Sequence, residues 1–194
     1  MTETTSLRPA FSPIDLQASG TGWRIGAVLL GTAFLTLSSY VSVPMVPVPV
    51  TMQTFAVTLV GAFFGWRLGA VTVLAWLAEG MAGLPVFASG SGGIAHILGP
   101  TGGYLFAFPF CAALTGWLAE RGWNGQRIGL AFISMLLGNL LCLVLGAGWL
   151  AFFVGTGAAI ASGVTPFLLG AVLKSALAAA LMKALPLGRL RRIG

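Results

Sequence analysis

The stretch Met52–Ala82, MQTFAVTLVGAFFGWRLGAVTVLAWLAEGMA, decides how this chain folds. As one straight helix it would run about 46 Å at 1.5 Å per residue, against a hydrocarbon core about 30 Å thick. The segment GWRLG, Gly65–Gly69, interrupts it with a single arginine. The prediction is therefore two short helices, 52–65 and 68–82, rather than one that overshoots a membrane.

Four further apolar runs, bounded by glycine, proline or charge, fall at 24–42, 101–119, 128–147 and 165–185. Of the 194 residues 57% are hydrophobic and 7% charged, with a mean hydropathy of +0.97, which excludes an ordinary soluble domain. The expected fold class is an all-α membrane protein: one bundle over 23–186 with about six crossings, a cytoplasmic tail at 1–22 and a basic cytoplasmic tail at 187–194. A second globular domain does not fit. No cleavable signal peptide is expected, because Met1–Gly22 is polar and the first apolar run leads into VSVPMVPVPV rather than a small-residue cleavage site. Cys111 and Cys142 lie inside apolar runs and read as packing residues, with neither a disulfide nor a metal site indicated.

A net charge of +6 can signal nucleic acid, but its distribution points elsewhere. With six crossings and a cytosolic N terminus, Arg8, Arg24, Arg67, Arg121, Arg127, Lys183, Arg189, Arg191 and Arg192, nine of the ten cations, fall on one side. That asymmetry predicts both termini in the cytoplasm of a multi-pass protein. Trp23, Trp66 and Trp123 beside arginines, and Trp149 opposite, suit an aromatic belt; Trp76 and Trp117 suit the core. The outer connections, VSVPMVPVPVT, GLPVFASGSGGIAHILGP and GAGWLAFFVGTGAAIASGVTP, carry no formal charge and are rich in proline and glycine. They are expected to form lids on the face where a small molecule arrives.

Lys174 sits about 13 Å into the last run, where an ammonium costs roughly 2.5–3.5 kcal/mol unless it faces a cavity or an anion. It reads as a ligand contact, with a structural pair to Glu79, the acid of the outer half, as the alternative. Thr51, Thr54 and Thr58 share a helical face with Gln53 beside it, and Thr32, Thr36 and Ser39 form a second stripe. Asn139 is alone in the fifth run. The hydroxyls suit helix–helix hydrogen bonds as well as a ligand, whereas Gln53 and Asn139 are costlier to leave unpaired and favour a site. His96 lacks companions for a metal and reads as a loop hydrogen-bond former. Ser91, five residues before it, does not make an intramembrane hydrolase, which needs nucleophile and base on separate rigid elements. GAVLKS, Gly170–Ser175, lacks the glycine before lysine and the preceding strand of a phosphate-binding loop, so this chain is expected to hydrolyse no ATP and to be no enzyme. Small residues four apart, Ala27 and Gly31, Gly61 and Gly65, and Ala176, Ala180 and Ala184, let helices approach closely, within the bundle or against another subunit.

Three segments taken in order, PVPVTMQTFAVTLVGAFFGWRLGA (Pro47–Ala70), GLPVFASGSGG (Gly83–Gly93) and GPTGGYLFAF (Gly99–Phe108), resemble the BioY family over roughly residues 24–185. The resemblance implies the biotin-binding S component of an energy-coupling-factor (ECF) transporter. It implies a six-helix S-component bundle in the bacterial inner membrane, a pocket closed from outside by loops, a transmembrane coupling (T) subunit, and paired cytoplasmic ATPases that turn the subunit in the membrane. Biotin is then the transported ligand and no cofactor is expected; a homo-oligomer stays open. The family pattern PFLPGDxxK carries an acid and a lysine that contribute to ligand binding. Here it reads PFLLGAVLK, Pro166–Lys174: the lysine matches and Ala171 stands where the acid would be. The acceptor for the ureido N–H groups then comes from Glu79, Asn139 or backbone carbonyls of the glycine loops, in that order.

With biotin as guest, Phe87, Tyr104 and Phe167 are the expected walls, Gln53, Thr54 and Asn139 the polar contacts and Lys174 the cationic anchor. Amides at Gly102 and Gly103 are expected to cradle the carboxylate. The rival from another class is an ion-coupled secondary transporter or channel for a small neutral or anionic metabolite.

Overall fold

A computed structural model describes residues 20–185; the tails that hold Arg8, Arg189, Arg191 and Arg192 lie outside the described residues. Seven α-helices follow in order: α1 Thr21–Tyr40, α2 Gln53–Met81, α3 Ile94–Leu98, α4 Gly102–Glu120, α5 Ile128–Val154, α6 Thr156–Gly163 and α7 Phe167–Ala184. Between α1 and α2 a short antiparallel ladder pairs Ser42 with Thr51 and Val43 with Val50.

The decisive stretch breaks where its length demands. At Gly65 the backbone turns to φ 78°, ψ 168°, a region open in practice only to glycine, and splits α2 into arms 53–64 and 66–81. The arms fold back tightly: a Cβ on Gly69 would lie 2.8 Å from Gly61 Cα. The break strips the Trp66 N–H of its helical acceptor, and the Glu120 carboxylate replaces it at 3.1 Å. α4 packs on the same seam. A Cβ on Gly61 would strike the Ala112 carbonyl, and one on Gly116 would meet Trp66 N at 2.5 Å.

Each of the six predicted apolar runs is helical. α2, α4, α5 and α7 are long and apolar enough to cross a membrane. Large apolar side chains such as Phe152 (88% exposed) and Leu30 (73%) face outward, as a lipid-facing surface requires. One prediction is corrected: Gly146–Pro166 is not all connection between helices. α5 continues to Val154 and α6 fills most of the remainder. Gly146 does not end the helix because its bare backbone seats the Tyr104 ring.

The two ends of the bundle differ. At one, Glu120 reaches Trp66, and a Cβ on Gly125 would strike the Met182 carbonyl. Arg67, Arg121, Arg127 and Lys183 gather there. The other end carries the ladder, the 84–93 loop, α3 and α6. Ser39 and Tyr40 tie the end of α1 to that loop: Ser39 Oγ lies 2.7 Å from Val86 O, and the Tyr40 hydroxyl donates to Pro85 O at 2.6 Å.

Candidate functional site

A cavity opens at the loop end, lined by apolar and aromatic side chains with a few polar groups, the make-up of a small-molecule site. Its walls come from the first arm of α2, α4, α5 and α7, with Val48 and Pro49 of the ladder loop and Ala88 of the 84–93 loop around its mouth. Toward the cation-bearing end the same helices are filled by Leu59, Ala62, Met135, Ala178 and Met182, all buried. The cavity therefore ends in a plug of apolar side chains.

Polar groups enter from three helices. Lys174 of α7 is half-buried and its Nζ donates to Thr54 Oγ1 at 3.3 Å; both residues line the cavity. Gln53, 6% exposed at the start of α2, accepts at Oε1 from the Thr51 hydroxyl at 3.0 Å, while its Nε2 has no partner. Asn139 of α5 donates from Nδ2 to Met135 O at 3.0 Å and to Ser175 Oγ at 3.1 Å. Among the described residues no Asp or Glu lines the space, so Lys174 is an uncompensated charge there. Tyr104 and Phe167 form an aromatic wall, ring centroids 6.4 Å apart, with the tyrosine hydroxyl donating to Gly163 O at 2.8 Å.

The structure thus brings Gln53, Thr54, Tyr104, Asn139, Phe167 and Lys174 around one space. Four sequence expectations are not met there. Phe87 does not line the cavity: it is fully buried in a socket left by Gly80, edge-on to Trp76 at 5.1 Å and stacked on His96 at 5.6 Å. His96, stacked on Phe87, is the member of that pair that lines the cavity, rather than a loop hydrogen-bond former. Burial lowers its pKa from 6.5, which keeps the imidazole neutral at neutral pH. Gly102 and Gly103 are not among the lining residues: a Cβ on either would strike Ile97 O or the Trp149 side chain, and Thr101 is the neighbour that lines the cavity. Glu79, on the second arm of α2, is half-buried, lines no part of the space and makes no pair with Lys174.

Thr58 and Thr36 bond to carbonyls of their own helices, so these hydroxyls neither enter the cavity nor tie one helix to another. Ser91 Oγ donates to Ala88 O at 2.7 Å and is spent on its turn. Among the lining residues that sequence reasoning missed are Val48, Pro49, Ala88, Thr101 and Phe108. The legible signal for His96 was a solitary histidine in an uncharged loop on the face where a ligand arrives.

The BioY family model matches residues 15–189. The chain belongs to the BioY family. Among BioY relatives, a "Probable biotin transporter BioY" of Pyrococcus horikoshii is 40% identical over 155 residues, covering 80% of this chain and 91% of that one. "Biotin transporter BioY2" of Lactococcus lactis is 38% identical, with coverage of 80% and 85%. The fold matches the crystal structure of the S-component for biotin from an ECF-type ABC transporter with a TM-score of 0.76 and 28% identity, over 91% of this chain and 96% of that one. This BioY member is thus an all-helical protein of S-component architecture, and the cavity lies at the loop end of that architecture.

Proposed function

We propose that the chain is the biotin-capture S component of an ECF-type vitamin uptake transporter, powered by separate ATPase subunits and a membrane coupling subunit. The observation that carries this reading is the cavity itself. It has one uncompensated cation, two buried amides and an aromatic wall, matching a ligand with a carboxylate, a ureido group and an apolar bicycle. Lys174 takes the carboxylate, with Thr54 beside it; Tyr104 and Phe167 take the rings. The role is binding rather than catalysis, as the match to biotin transporters and to an S component supports.

The crossings are α1, the two arms of α2, α4, α5 and α7, six in all, with both termini in the cytoplasm of a plasma membrane. The grouping of Arg67, Arg121, Arg127 and Lys183 at one end supports that orientation. The plug of Leu59, Met135 and Met182 favours capture over a channel, because buried apolar side chains fill the bundle toward its other end. Titration calorimetry of detergent-purified protein with biotin, desthiobiotin and unrelated vitamins tests the reading; no heat with biotin overturns it. Uptake that persists after deletion of the coupling ATPases would favour the secondary transporter instead.

A further inference from the structure

The geometry assigns opposite hydrogen-bonding senses to the two buried amides, Asn139 an acceptor set by Ser175 and Gln53 a donor set by Thr51, so that a cyclic urea is read without an ionised acid. This rests on the biotin-capture reading and concerns the place where this chain departs from its family pattern, Ala171.

Consider Asn139 first. Met135 O, 3.0 Å from Nδ2, is a carbonyl and can only accept. Ser175 Oγ, 3.1 Å from Nδ2, gives its single proton to Ala171 O at 2.7 Å, so toward Asn139 it too can only accept. Both Nδ2 hydrogens are therefore used. A flipped amide would set Oδ1 against two acceptors, which fixes the orientation. The atom left for the cavity is Oδ1, a neutral acceptor for an N–H. Ser175 is fully buried and does not line the cavity, so it acts through Asn139 as a positioning residue.

Gln53 is set the other way. The Thr51 hydroxyl accepts from the Gln53 backbone N–H at 3.3 Å and donates to its Oε1 at 3.0 Å. Nε2 is closed off and keeps its hydrogens without a partner, in a residue that is 6% exposed and lines the cavity. A buried donor of this kind calls for an acceptor, and a ureido carbonyl supplies one when the amide turns toward the ligand. A carboxylate at position 171 would have accepted from the ureido N–H and also drawn on Lys174. With alanine there, a neutral amide takes the N–H and the ammonium stays free for the ligand's own carboxylate.

The test is calorimetry on the full chain with biotin, the two biotins methylated at one or the other ureido nitrogen, and 2-thiobiotin. Ser175→Ala is expected to weaken biotin roughly tenfold, the scale of one misplaced buried hydrogen bond, and to leave at least one N-methyl analogue changed less than twofold. Ser175→Thr, which keeps the hydroxyl, should restore most of the loss. Thr51→Ala should weaken biotin more than 2-thiobiotin, whose sulfur accepts poorly. Should Ser175→Ala fail to fold, Ser175→Cys, near in volume and a weak acceptor, carries the same comparison. Equal losses for biotin and both methylated analogues would make Ser175 merely structural and overturn the assignment. A parent protein that ignores biotin altogether would instead overturn the capture reading on which it rests.

Discussion

Replacing Lys174 by methionine keeps the length of the side chain and removes its charge, and the structure sets two effects of opposite sign. The ammonium lines the cavity with one neutral partner, Thr54 Oγ1 at 3.3 Å, and no lining acid balances it. At 4 Å and an effective dielectric near 20, a ligand carboxylate would attract it by about 4 kcal/mol before desolvation. A charge-assisted hydrogen bond retains roughly 1.5–3 kcal/mol of that, or about a 10- to 150-fold loss of biotin affinity on substitution. Biotin methyl ester, without the charge, should bind parent and Lys174→Met alike. The ligand-free variant should meanwhile melt no lower than the parent, since an unpaired intramembrane cation has been removed. Calorimetry gives the first effect; melting curves with and without biotin give the second, with a smaller ligand-induced rise in the variant. Undiminished biotin affinity in the variant, or the same loss for acid and ester, would refute the anchor.

Gly65→Ala forces a side chain into φ 78° and toward Glu120 Oε1 at 2.5 Å, so thermal unfolding should show a loss of about 1–3 kcal/mol. Gly146→Ala drives a methyl into the Tyr104 ring and should cost biotin affinity through that wall, while Gly148→Ala, with open space around it, should not; titration of both separates packing from helix propensity. His96 titrates with the opposite sense to a paired histidine. Its folded pKa is depressed below 6.5, so the unfolded chain binds the proton more readily. Stability is then full above pH 6.5 and declines as pH falls below it, and His96→Gln should flatten that decline in a series of melting temperatures.

The break in α2 was legible because two independent constraints met on GWRLG: a helix too long for a bilayer, and glycines able to turn it. The cavity polar groups were legible for a similar reason, since Lys174, Gln53 and Asn139 are expensive in hydrocarbon wherever the helices point. What could not be read was rotation. Glu79 has the right depth but lies on the second arm of α2, whose facing is set by the torsion angles at Gly65. Phe87 is withdrawn from the cavity and His96 lines it because Gly80, on another element, leaves the socket that Phe87 fills. Glycines at 102, 103 and 146 resemble loop formers in sequence, yet they admit Trp149 and Tyr104 into close helix contacts.

Where Gly61, Gly69 and Gly116 meet, main chain touches main chain, with the Thr115 hydroxyl tucked against Gly61. Rotamer changes cannot lubricate such a seam, so sliding there would force carbonyls and Cα atoms directly through one another. Both arms of α2 and α4 must then travel as a single plank whatever larger movement the molecule undergoes. Admission of a guest falls to the pieces hung around that plank: the proline-rich ladder loop above it and the α5–α7 wall beside it.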